Sequence, residues 1–188
     1  MNKKIYIAIA ASILLSGCAA TVIGAAGKGA YNVASDERTI GSQGNDLNTK
    51  MAVKTALTQK QFKNISRVNV YCFNSIVYLI GEVGKNERAT IENTARAVSG
   101  VKDIKTKWFD LGTGSSIEDT AIETAASGKL VFARHVSSTN ISLEVYGGNA
   151  VLVGILSSQD EIDRAVKAVK ETDGVKSVTN FLTIYGQN

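Results

Sequence analysis

The pentapeptide Gly100-Val101-Lys102-Asp103-Ile104 returns 74 residues later as Gly174-Val175-Lys176-Ser177-Val178. A repeat at this distance describes two tandem domains, because solenoid repeats run about 20–50 residues. Upstream, Val70-Tyr71-Cys72-Phe73-Asn74 matches Val145-Tyr146-Gly147-Gly148-Asn149. A glycine follows the next apolar run in each copy, at Gly81 and Gly154.

Each copy has the same local pattern. In the first, Leu47 to Phe62 is helix-like, with Val53, Ala56 and Leu57 at i, i+3, i+4. Val68, Val70 and Cys72 then alternate with Asn69, Tyr71 and Phe73, as in a half-buried strand. Asn74-Ser75 reads as a turn and Ile76 to Val83 as a second, apolar strand, which makes a hairpin. A second helix carries Ile91, Ala95 and Val98, Gly100 stops it, and Ile104 to Leu111 closes the unit as a strand. In the second copy a helix from Ser116 to about Arg134 tolerates Gly128, which costs about 1 kcal/mol relative to alanine. Ile141, Leu143 and Val145 face one way along a strand, and Gly148-Asn149 reads as the turn. Val151 to Leu156 returns, a helix carries Ile162, Ala165, Val166 and Val169, and Val178 to Tyr185 closes. The reading is α+β: helix, strand, strand, helix, strand, twice, each with a small mixed three-stranded sheet covered by helices on one face. The expected boundaries are 46–111 and 116–188, joined by 112–115, and each copy repeats a hydrophobic pattern complete enough to fold alone.

Charge divides the same way. Residues 46–111 hold eleven Lys or Arg against six Asp or Glu, whereas 116–188 hold six against nine. Halves of opposite sign present different surfaces.

The N-terminus carries a second strong signal. Lys3 and Lys4 precede an apolar run from Ile5 to Leu15, and Leu15-Ser16-Gly17-Cys18 ends it. A basic start, a short apolar core and small residues at a cut site describe a secretory signal peptide over 1–17. The cysteine makes the segment resemble a bacterial lipobox, which implies cleavage before Cys18 and lipidation of Cys18 with long acyl chains such as palmitate. Ala19 after that cysteine, by resemblance to Gram-negative lipoproteins, implies export to the outer membrane. Residues 18–45, with Gly24, Gly27 and Gly29, read as the lipidated cysteine and a tether, whose coil reach is roughly 30 Å. With Cys18 consumed, Cys72 has no disulfide partner in the chain and reads as a buried thiol.

The Val-x-Val…Gly…Gly-Val-x-x-Val pattern of both copies resembles the BON domain. Asp36-Glu37-Arg38-Thr39-Ile40-Gly41 is similar to a segment of dual-BON outer-membrane lipoproteins. The resemblance implies a non-enzymatic, periplasm-facing outer-membrane lipoprotein that binds phospholipid, anionic phospholipid being the expected class, and supports envelope integrity. The alternative is an adaptor that recognises an envelope protein. Neither a cofactor nor nucleic acid enters this reading. His135 is the only histidine, so a multi-histidine metal cluster is excluded, and the oligomeric state stays open.

Two lipid-contact sites are candidates. On the first helix, Lys50 and Lys54 project opposite Val53 and Ala56, with Leu47 and Met51 beside them. Such a stripe suits an anionic bilayer, and equally a solvated lysine face whose Leu47 and Met51 pack elsewhere in the chain. Relatives implicate the opening helix of the second copy, where Ile117, Ala121 and Ile122 could insert. That helix starts with Glu118, Asp119 and Glu123, which suit its dipole but not an anionic headgroup. Trp108-Phe109 has the character of an interfacial anchor, but Trp108 aligns with Leu182 at the repeat offset and reads as core.

Overall fold

A computed structural model describes residues 40–114 and 117–186. The signal segment, Cys18, the tether as far as Thr39 and the Asp36–Thr39 stretch lie outside the described residues. The elements are α1 (Ile40–Gln59), β1 (Val68–Phe73), β2 (Ile76–Glu82), α2 (Lys85–Arg96), β3 (Asp103–Phe109), α3 (Ile117–Phe132), β4 (Ile141–Tyr146), β5 (Asn149–Leu156), α4 (Gln159–Lys170) and β6 (Ser177–Ile184). In each copy the first two strands pair antiparallel and the third lies parallel to the second, which is central. The αββαβ unit with its small mixed sheet occurs twice.

The structure moves several expected boundaries. Helix α1 starts at Ile40, inside the segment read as tether, and stops at Gln59 rather than Phe62. The second hairpin turns at Gly147-Gly148, not Gly148-Asn149, since Asn149 pairs with Tyr146. Both turn residues have positive φ, 58° and 80°, as do Asn74 (53°) and Ser75 (65°) in the first hairpin. A two-residue turn of this type needs left-handed backbone at both central positions, and the glycine pair supplies it without strain. Val145-Tyr146 therefore corresponds to Cys72-Phe73, two residues from the match read in the sequence. A slip of two preserves the alternation of faces, so the pattern of burial concealed it.

Helix stripes and strand alternation build one core per copy. In the first, Val53 and Leu57 of α1, Val70 and Cys72 of β1, Val77 and Leu79 of β2, and Ile91 and Ala95 of α2 are buried together. Trp108 packs against this cluster and its Nε1 donates to Glu92 at 2.6 Å. In the second, Ala126 and Leu130 of α3 join Leu152, Ile162, Ala165, Val169 and Leu182. The repeated glycine has a steric cause. A Cβ on Gly81 would lie 2.0 Å from the Arg67 carbonyl oxygen, and one on Gly154 would lie 2.1 Å from that of Asn140. Arg67 and Asn140 end the short 3₁₀ turns that lead into β1 and β4, so each turn presses its last carbonyl onto the central strand.

A third core joins the copies. The sheet faces turned away from the helices are apolar, and they meet. Tyr78 and Ile80 of β2 and Phe109 of β3 are buried with Val151 and Val153 of β5. Phe109 stacks on Tyr146 with centroids 4.5 Å apart, and Tyr78 meets Phe181 at 5.6 Å. Burial raises the Tyr78 hydroxyl to about 12. Helices thus cover one face of each sheet, and the other copy's sheet covers the second face. The described residues form one compact unit.

Candidate functional site

Helix α3 has two contrasting sides. Asp119, Ala126 and Leu130 are buried, and half-buried Ile122 packs on the same core. Asp119 is the polar member of that inward stripe. Its two carboxylate oxygens accept from the N–H groups of Gly147 and Gly148, each at 2.8 Å, and so lock the helix to the hairpin turn. The first copy repeats the device: Asp46 accepts from Asn74 N–H at 2.9 Å and Ser75 N–H at 2.8 Å.

At 100° per residue the opposite side of α3 carries Ile117, Ala121, Thr124, Ala125, Val131 and Phe132, all of them exposed. Ile117 is 90% exposed, Phe132 87% and Val131 63%. No charged residue lies within this stripe. Among nearby cations, Lys129 donates to the Glu171 carbonyl oxygen, and Arg134 follows the helix. Glu118 flanks the stripe at its start. Isolated exposed apolar side chains are ordinary, whereas here three large ones, Ile117, Val131 and Phe132, share one uncharged stripe of a 16-residue helix.

Beside α3 a cleft of about 360 Å³ opens where the two copies meet. It is lined by Asn69 and Tyr71 of β1, Thr120 and Glu123 of α3, and Glu144 and Tyr146 of β4, among others. Glu144 is buried and accepts from the Tyr71 hydroxyl, from Asn69 Nδ2 at 2.9 Å and from the Tyr146 hydroxyl at 2.5 Å. Burial first, and then Glu144, push both tyrosine hydroxyls far above their ordinary range. Burial also raises the Glu123 carboxyl, reinforced by Glu144 and Asp119. This network ties β1 of one copy to β4 of the other.

The first-copy candidates form a separate group on α1. Leu47 and Met51 are 58% and 55% exposed and Lys54 is exposed. Lys50 differs: it is half-buried, with Nζ 5.6 Å from the centre of the Tyr71 ring. Burial, and then Lys54, lower its pKa. Of the second-copy candidates, Ile117 and Ala121 share the exposed stripe. Ile122 points the other way, 140° from Ile117, and belongs to the core. Val131 and Phe132 went unnoticed in the sequence, although Phe132 falls 15 residues after Ile117 and so returns to the same face. Cys18 lies outside the described residues. Among the described residues no group of three or more His, Cys, Asp or Glu could hold a metal ion, and no described helix is long and apolar enough to cross a membrane.

Two αββαβ units fused through their sheets make a tandem-domain α+β protein. The BON domain family model matches residues 45–107 and 118–186, and the chain belongs to that family. It is 30% identical to the outer membrane lipoprotein DolP of Haemophilus influenzae, over 94% of this chain and 93% of that protein. It is also 30% identical to osmotically-inducible protein Y of Escherichia coli, over 80% of this chain and 78% of that one. A 21 kDa hemolysin of Actinobacillus pleuropneumoniae is 28% identical over 78% of each chain.

Proposed function

We propose that this protein is a non-enzymatic lipoprotein, held in the outer membrane through Cys18 and facing the periplasm. It binds phospholipid by laying the outward face of α3 on the bilayer, and so supports the integrity of the envelope. The observation that carries this reading is the uncharged stripe with Ile117, Val131 and Phe132 projecting from it. Kinship with an outer membrane lipoprotein over nearly the whole chain supports the location.

The energetics are those of an anchored contact. Fully burying an Ile, Val or Phe side chain contributes about 1.5–3 kcal/mol, so three such residues give only modest affinity alone. An acylated Cys18 changes the situation, since each buried CH₂ contributes about 0.8 kcal/mol. Residues 19–39 span at most about 75 Å when fully extended, so the helix meets the membrane at high effective concentration. The α1 stripe is the weaker candidate because Lys50 leans on Tyr71 and is partly desolvated.

Two measurements test this. Mass spectrometry of the native protein should find Cys18 carrying acyl chains, and Cys18→Ala should abolish the increment; an unmodified wild-type cysteine overturns the anchor. Vesicle sedimentation of residues 37–188 should show binding that falls more than tenfold in Ile117→Asp with Phe132→Asp. Both side chains are exposed, so circular dichroism should be unchanged. Wild-type protein that binds no vesicle overturns the lipid reading in favour of the adaptor.

A further inference from the structure

We infer that β6 pairs edge to edge and antiparallel with β6 of a second molecule of this chain, joining two three-stranded sheets into one. Neither α3 nor Cys18 takes part, so the inference stands apart from the lipid-contact reading above.

Strands β3 and β6 are equivalent outer strands of the two sheets. An outer strand presents a row of unpaired N–H and C=O groups, and proteins ordinarily guard it with charge, proline, a bulge or inward-pointing lysines. Strand β3 is guarded. Asp103 is exposed at its start. Lys105 and Lys107 point inward, with Nζ 5.8 Å from the centre of the Tyr78 ring and 5.6 Å from that of Phe109. At the repeat offset β6 has Ser177, Thr179 and Phe181 in place of Asp103, Lys105 and Lys107. Its eight residues include no charge and no proline. Its register against β5 runs unbroken from Asn149–Ser177 to Leu156–Ile184, so no bulge turns the edge away. A strand that departs from the usual edge protection while its repeat keeps it marks a place where pairing is used.

The ladder shows which backbone groups face out. Tyr185 N–H, continuing β6, donates to the Leu156 carbonyl at 2.9 Å. Odd-numbered residues therefore face β5, and Val178, Asn180, Leu182 and Ile184 turn their N–H and C=O groups outward. Leu182 N–H agrees: it donates to Oδ1 of Asn180 at 2.9 Å, a local substitute for a neighbouring strand. Asn180 itself is exposed, and an arriving strand replaces that bond with ladder bonds. Charge decides the occupant. A two-fold axis sets the same patch against itself, and like charges directly opposite would oppose such pairing. Self-pairing of β3 would bring Lys105 and Lys107 against their own counterparts, whereas β6 brings only hydroxyl, amide and apolar side chains together. A charged strand from another protein finds no counter-charge along β6.

Two measurements test this. In the envelope, the full chain carrying Asn180→Cys should cross-link to a dimer with a short bismaleimide, since Cys72 is buried. Thr90→Cys, exposed on α2, should give no more dimer than the wild type. In solution, the chain from Ala19 onward should show a monomer–dimer equilibrium by sedimentation. Thr179→Lys with Asn180→Lys should weaken the dimer more than tenfold with circular dichroism unchanged, because lysines then face lysines across the edge. Thr179→Lys alone, which gives β6 the residue that β3 carries at that place, should act in the same direction. Ile117→Asp with Phe132→Asp should change the dimer less than about twofold. A chain that stays monomeric at millimolar concentration, a dimer that the β6 lysines leave intact, or a dimer lost in the α3 pair overturns the inference. Asn180→Cys that cross-links to a different protein and not to itself assigns the edge to that partner and overturns it equally.

Discussion

Val153→Asp, in the second copy, should unfold the first copy as well. Val153 is fully buried in the cluster shared with Tyr78, Ile80 and Phe109. A carboxylate placed there has no partner, and an uncompensated buried charge costs several kcal/mol. Domains of this size are stable by only about 5–15 kcal/mol, so a large part of the total is lost. The single tryptophan, Trp108, belongs to the first copy's own core and not to the shared cluster. Its fluorescence therefore reports on the half that was not mutated. With a shared core, the Trp108 transition should move to lower temperature together with the circular dichroism signal. With independently folding copies, the Trp108 transition stays where it is in the wild type. The milder Ile80→Ala, at a fully buried position of the same cluster, should cost about 2–5 kcal/mol and act in the same direction.

That shared core separates what the sequence revealed from what it concealed. The elements are local: hairpins, helix stripes and terminating glycines recur at nearly constant offset, and period-based reading found them. The junction is not local. Tyr71 and Asn69 reach Glu144 from 73 and 75 residues away, and no periodicity links residues so distant. One signal was present but went unused. The strands β2 and β5 are almost continuously buried, and an unbroken apolar run means a strand covered on both faces, whereas helices alone cover one. The contact stripe was half legible. Ile117 and Ala121 follow from helical spacing, but Ile122 was grouped with them by closeness in sequence although its angle turns it to the core. Phe132 was overlooked because it lies at the far end of the helix, past Gly128 and four turns from Ile117.

The aspartate latch was also overlooked, and removing it should weaken the second copy. Asp119→Ala should cost about 3–5 kcal/mol, because two N–H groups lose a charged acceptor and each unsatisfied buried donor costs about 1–3 kcal/mol. Gly148, one of the donors, is buried, and Asp119 itself is 4% exposed. Water therefore replaces the carboxylate poorly. Glu118→Ala, one residue earlier but exposed, should shift stability by no more than about 0.5 kcal/mol. The comparison separates a specific latch from a general effect of negative charge at a helix start. Urea titration of residues 37–188 reads the difference, and equal midpoints for the two variants would refute the latch. Asp46→Ala provides an internal replicate, since Asp46 and Asp119 each lie 28 residues before the first turn N–H they accept from. Equal spacing in both copies has a mechanical reason. The opening helix must be pinned to the hairpin tip for its inner stripe to meet the sheet, and in the second copy the same pin holds the outer stripe of α3 clear of the core, where Ile117 and Phe132 stay exposed for contact.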